Sequence, residues 1–340
     1  MGNGSTKNKP ESIREAEAGI VYKDDEGRVL GRVGLSGTVY FYDGYTQEKR
    51  SALARCIAYY KEQCGEMLRW EIMPPSERRI RLLPAGDARL PDWGEYLAAL
   101  DPNVAFEYHA HSGDEQDEAA FYSLEILTTP KWEQELRNHL SYLKFTVPWS
   151  WVEERPGEFE RLLESFADWL GAEHGYGGLG FILSLGIPER AAPWAYMLSR
   201  RFLCIDVSHP TGDTLNLQEH VKGASWIVLL SEWFVERLGG EARVREVLSD
   251  PHFRFRHYSR GLVIQVGEEP TPCPAEEGVP EAYLQLNELL CPLRSEKVSV
   301  FGWEANPNLP GEVFDLKEVN RWWRERLDRE RLEAAEGPVR

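Results

Sequence analysis

The stretch TVYFYDGYTQEKRSALARCIAYYKEQCGEMLRWEI, from Thr38 to Ile72, decides the fold class. It opens with TVYFY, a run of β-branched and aromatic residues suited to a strand. After Thr46 the apolar period changes. Leu53, Cys56, Ile57, Tyr60 and Cys64 recur at i, i+3, i+4, i+7 and i+11, which predicts a helix with one apolar stripe, closed at Gly65. The segment MLRWEI (67–72) then reads as a strand again.

The same unit occurs a second time. YLKFTV (142–147) is strand-like, Phe159, Leu162, Leu163, Phe166 and Leu170 repeat the helical spacing up to Gly171, and GLGFILSL (178–185) follows as a strand. We therefore expect an α/β (α+β) fold of mixed β-sheets packed with amphipathic helices, built as two related strand–helix–strand halves or as two independent units of one kind. The expected organisation is a flexible lead-in over 1–18, an N-terminal half over 19–136, a C-terminal half over 137–312 and a charged helix over 313–340. In that last helix Leu316, Val319, Trp323 and Leu327 share one side. Between the second unit and the tail, FLCIDV (202–207) and SWIVLL (225–230) read as buried strands, a short helix after Ser231 stops at Gly239 and Gly240, and FRFRHY with GLVIQVG forms a strand pair turning near Ser259 to Gly261.

Charge narrows the function classes. With 39 basic against 56 acidic residues the chain carries a formal net charge of −17. Its average surface repels phosphate backbones and anionic headgroups, so neither nucleic acid nor membrane is an expected partner, and a basic protein is the partner such a field attracts. No apolar run approaches the roughly 18 residues of a membrane span. The five cysteines show no paired metal spacing, and we expect buried free thiols in a reducing compartment.

No motif points to catalysis. GYGGLG (175–180) has the letters of a dinucleotide loop but the wrong context, since a helix precedes it and a strand follows; its glycines are expected to end one and start the other. Ser184 lacks the leading glycine of a nucleophile elbow. We expect no catalytic residue, no cofactor and no metal.

The remaining candidate is EYHAHSGDEQDEAAFYSLEI (107–126). His109 and His111 share a strand face and, with Glu115, offer three metal ligands, the basis of a reading as a metal-dependent enzyme of unknown reaction. No fourth ligand or supporting glycine pattern accompanies them. The alternation of Val104, Phe106, Tyr108 and Ala110, and of Phe121, Ser123, Glu125 and Leu127, favours two strands around an acidic tip carrying Asp114, Glu115, Asp117 and Glu118.

From about Leu143 to Phe301 the chain resembles the type VI secretion immunity family, a former domain of unknown function often encoded beside nuclease effectors. The resemblance lies in KFTVPWSW with Pro148, HGYGGLGF (174–181), ASWIVLLSEWFVERLGG with Trp226, GLVIQVGEEP with Gly267 and Pro270, and PEAYLQLNELLCPLR with Tyr283, Pro292 and Arg294. It implies a cytoplasmic protein without catalysis that binds a cognate effector toxin, a nuclease with a basic active-site surface, and occludes that site. The matching residues look like framework, so the toxin-binding residues are sought among acidic loops: Asp114, Glu115, Asp117 and Glu118, with Glu153, Glu154, Glu276 and Glu277.

Overall fold

The long strand β2 (Val29–Phe41) lies between β7 (Ser141–Val147) and β8 (His174–Leu183), antiparallel to both. Outward from β7 run β6 (Ser123–Leu127), β5 (Glu107–His111), β3 (Trp70–Met73) and β4 (Arg81–Pro84). Outward from β8 run β10 (Ile227–Ser231), β12 (Gly261–Val266) and β11 (Phe253–Tyr258). β1 (Val21–Lys23) pairs with β2, and β9 (Asp206–Val207) joins β8 in parallel. The structure, a computed structural model, describes residues 13–73, 81–207, 209–298 and 316–336, and among them twelve strands form one sheet.

Both expected strand–helix–strand units are present, with helices Gln47–Cys64 and Glu158–Leu170. Thr46 caps the first through its side chain, and Gly171, left-handed at φ 54°, closes the second. Their leading strands β2 and β7 lie side by side in the sheet, each flanked beyond by a strand of the other unit's half.

Strand alternation gives the sheet two faces of different chemistry. One carries Val39, Tyr108, Leu124, Ile126, Leu143 and Phe145, all buried under the two helices and the helix Trp93–Ala99. The Phe145 ring meets Phe159 at 5.3 Å and Phe166 at 5.4 Å between centroids. Two register-paired glycines permit this approach: a Cβ at Gly37 would lie 2.4 Å from Phe145, and one at Gly177 would lie 2.8 Å from Leu163. Glycine here is a packing requirement.

Four local expectations change. GYGGLG lies wholly inside β8, because the strand starts at His174, so its glycines neither end a helix nor start the strand. Of FLCIDV only Asp206 and Val207 are strand. The residues before them instead bond to a distant loop, Leu203 N to Cys273 O at 2.9 Å and Cys204 N to Pro272 O at 3.2 Å. That juxtaposition places the two sulfurs in a disulfide, Cys204–Cys273, with Cα atoms 5.2 Å apart, leaving Cys56, Cys64 and Cys291 as thiols. The expectation of five free thiols is corrected accordingly: the partners are 69 residues apart, and spacing of that kind does not reveal a pair.

The fourth change concerns the lead-in. Residues 1–12 lie outside the described residues, but Ile13–Gly19 is a helix that buries Ile13 and Ala16. At the other end the charged tail is two helices, Leu316–Glu325 and Arg329–Glu336, with Val319, Trp323 and Leu327 buried. The Leu316 side chain and the boundary expected at 312 lie outside the described residues.

Candidate functional site

The acidic segment forms the connection between β5 and β6, as expected of a hairpin. Its four carboxylates have different tasks. Glu118 turns inward: its carboxylate accepts the backbone N–H of Asp114 at 2.7 Å, of Glu115 at 3.2 Å and of Val29 at 3.2 Å. Ala119 N adds a bond to Val29 O at 2.8 Å, and Trp70 Nε1 holds Gly113 O at 3.1 Å. The loop is thereby tied to β2 and β3. Asp114, Glu115 and Asp117 are exposed; Asp114 meets Arg69, and Asp117 lies over Gly186, where a Cβ would come within 2.4 Å of Oδ1.

Glu153 and Glu154 are exposed at the end of helix Trp149–Glu154, and Glu153 pairs with Arg14 at 2.6 Å. Inside this pairing Glu17 accepts Trp149 N at 2.5 Å, and burial raises its carboxyl to about 7, with Glu153 adding repulsion. The guanidinium of Arg32, which burial holds below its ordinary value, is attracted by Glu118, Glu17 and Asp114. Arg32 thus connects the loop electrostatically to the Glu17–Glu153 group. Glu276 and Glu277 occupy a separate exposed turn, Ala275–Glu277, fastened by Ala275 N to Arg201 O beside the Cys204–Cys273 bridge.

His109 and His111 do project from one face of β5, with ring centroids 5.0 Å apart. His111 Nδ1 accepts Gly113 N at 3.1 Å. Burial lowers His109 to about 3 and His111 to about 4, so both rings are neutral near pH 7. Glu115 does not complete a ligand set with them, and among the described residues no group of three His, Cys, Asp or Glu is placed to hold a metal ion.

The face of the sheet turned away from the two long helices is polar. One register row reads His109, Glu125, Lys144, Thr38 and Tyr176 across β5, β6, β7, β2 and β8. Beside it, Lys222 reaches Asp206 at 2.8 Å, Val207 O at 2.6 Å and Asp213 at 3.7 Å, while Tyr40 donates to Asp213 at 3.2 Å. Of these residues sequence reading singles out only His109, as a metal-ligand candidate, and Glu125, as a strand residue. The one available signal was a lysine inside the apolar run YLKFTV, since a charge in a buried strand must be partnered or functional.

The model of the family described as "TsiV: Type VI immunity for VRR-NUC" matches residues 52–322. A solved structure, the Pseudomonas aeruginosa T6SS protein PA0821, is similar in fold with a TM-score of 0.81 at 24% identity, over 92% of this chain and 87% of that one. No curated protein matches. The family match begins inside the first long helix, after β1 and β2, and runs into the helix Leu316–Glu325, taking in the whole second unit, and on it the chain belongs to the TsiV family of type VI immunity proteins for VRR-NUC.

Proposed function

We propose that the protein neutralises a cognate VRR-NUC effector by binding it in the cytoplasm and covering its active site, without catalysis of its own. The observation that carries this reading is the family match over residues 52–322. The mode of contact is argued from charge. A nuclease must present a basic surface to DNA, and a protein of net charge −17 competes for that surface on electrostatic grounds. The loop of Asp114, Glu115 and Asp117 supplies carboxylates on a backbone already fixed by Glu118, so little ordering entropy is lost when it docks. A complex of ordinary size hides about 800 Å² per partner, more than one loop offers, and Glu153 and Glu154 extend the same acidic end. Glu276 and Glu277 form a second acidic turn.

Co-expression with the neighbouring effector tests the function. Growth rescue together with a stable complex on size exclusion is the expected result. A toxic effector that kills equally with and without this chain, although the chain is abundant and soluble, overturns the reading.

A further inference from the structure

The polar face holds a cavity of about 640 Å³, bounded by β5, β6 and β7 and by the segments around Ser184–Pro188 and His209–Thr211. That volume is in the range of small-molecule sites. Its lining has an unusual charge state. Lys144 is 8% exposed, yet its ammonium makes no hydrogen bond or ion pair among the described residues. Its neighbour in register, Glu125, is engaged by the Tyr142 hydroxyl instead. Glu107, on the same face two residues from His109, pairs with no cation among the described residues, and burial and Glu125 together raise its carboxyl from its ordinary value. At the same wall His109 Nε2 is buried without a hydrogen-bond partner among the described residues.

A buried ammonium with no anion in contact is costly, and so are half-buried carboxylates with no cation in contact; Glu125, Asp206 and Asp213 attract Lys144 only from a distance. The nearby Lys222 shows the alternative this fold can build, an ammonium closed in by Asp206, Asp213 and a backbone carbonyl. In the cavity Lys144 on β7 and the carboxylates of Glu125 on β6 and Glu107 on β5 face a space large enough for a guest without joining in an ion pair. A metal ion would be repelled by Lys144, and a simple anion would face Glu107 and Glu125. A molecule carrying both charges answers both.

We propose that this cavity is a binding site for a small zwitterion, a free α-amino acid or short peptide, whose carboxylate sits on Lys144 and whose ammonium sits between Glu107 and Glu125. His109 supplies a further neutral polar contact on the β5 side. Gln116 and Asp117 of the acidic loop also border the cavity, and the site is tested without the effector.

The experiment is calorimetric titration of the full chain with the common α-amino acids and with Ala-Ala, using propionate and n-propylamine as single-charge controls. At least one zwitterion is expected to bind saturably, with each control weaker by about 30-fold or more, the usual effect of leaving one buried charge unpaired. Lys144→Met is expected to abolish the binding, and Glu107→Gln, at a partly exposed position, to weaken it while the fold is retained. The proposal is overturned if no zwitterion binds at millimolar concentration. Propionate binding as tightly as the best zwitterion overturns it too, as does unchanged binding in either folded variant.

Discussion

Burial keeps three histidines uncharged in the folded chain. His109, His111 and His174 are lowered to about 3, 4 and 4, each chiefly by burial. His174 Nε2 lies 2.9 Å from Leu217 O, the geometry of a neutral ring donating to a carbonyl. Their folded values lie below the unfolded value near 6.5, so the unfolded chain takes up protons that the folded chain refuses. The stability they permit is complete above about pH 6.5 and is lost as pH falls toward 4. Glu17, raised to about 7, works in the opposite sense between its unfolded value and 7, as do Glu107 and Glu164, both raised chiefly by burial, while His209, lowered by burial, joins the three histidines. Denaturant unfolding at pH 7.5 and pH 5 is therefore expected to show a clear loss on acidification; equal midpoints contradict it. At Lys144 the expectation is a gain. Lys144→Met removes an unpaired buried charge and is expected to raise ligand-free stability by about 1 kcal/mol or more. A large loss would mean that the ammonium has a structural partner.

At the scale of elements, the acidic loop divides into a scaffold and a contact surface. Glu118→Ala removes the acceptor of three backbone N–H groups and is expected to cost about 1–3 kcal/mol in chemical denaturation. Reversal of Asp114, Glu115 and Asp117 to lysine is expected to leave stability nearly unchanged, while it slows association with the effector and flattens its salt dependence. Association unaltered at low salt would return these side chains to the role of solvated surface. The Cys204–Cys273 bridge joins segments 69 residues apart, and its reduction is expected to cost about 2–4 kcal/mol. Thiol titration of the unfolded, unreduced chain should find three thiols; finding five would exclude the bridge.

These elements also show what a sequence reveals. The helix after Thr46, the helix ending at Gly171 and the hairpin turning between Tyr258 and Gly261 were legible, because period and turn residues are local properties. The acidic connection was visible as a charge run, although the inward role of Glu118 was not, since its partner Val29 is 89 residues away. The pairing of β2 with β7, the Cys204–Cys273 bridge and the row from His109 to Tyr176 depend on register between distant strands, and no local pattern specifies them. Lys144 shows the limit most clearly: its oddity was in the sequence, but its lack of a partner emerges only when Glu125 turns to Tyr142.

At the scale of the whole molecule, one sheet with an apolar face under helices and a polar face around a cavity serves as the frame on which acidic loops are displayed. Trp226, stacked on Phe159 at 5.7 Å, and Phe166 belong to that frame; alanine at either is expected to cost about 3–5 kcal/mol and to abolish protection through loss of folded protein. On the function proposed above, the folded frame covers the effector's DNA-binding surface. The deciding measurement is titration of purified chain into a DNA-cleavage assay of the cognate VRR-NUC domain. Cleavage should fall to zero at one equivalent, and saturating the nuclease with DNA beforehand should slow the onset of inhibition. A tight complex that leaves cleavage intact, or inhibition indifferent to bound DNA, would contradict active-site coverage.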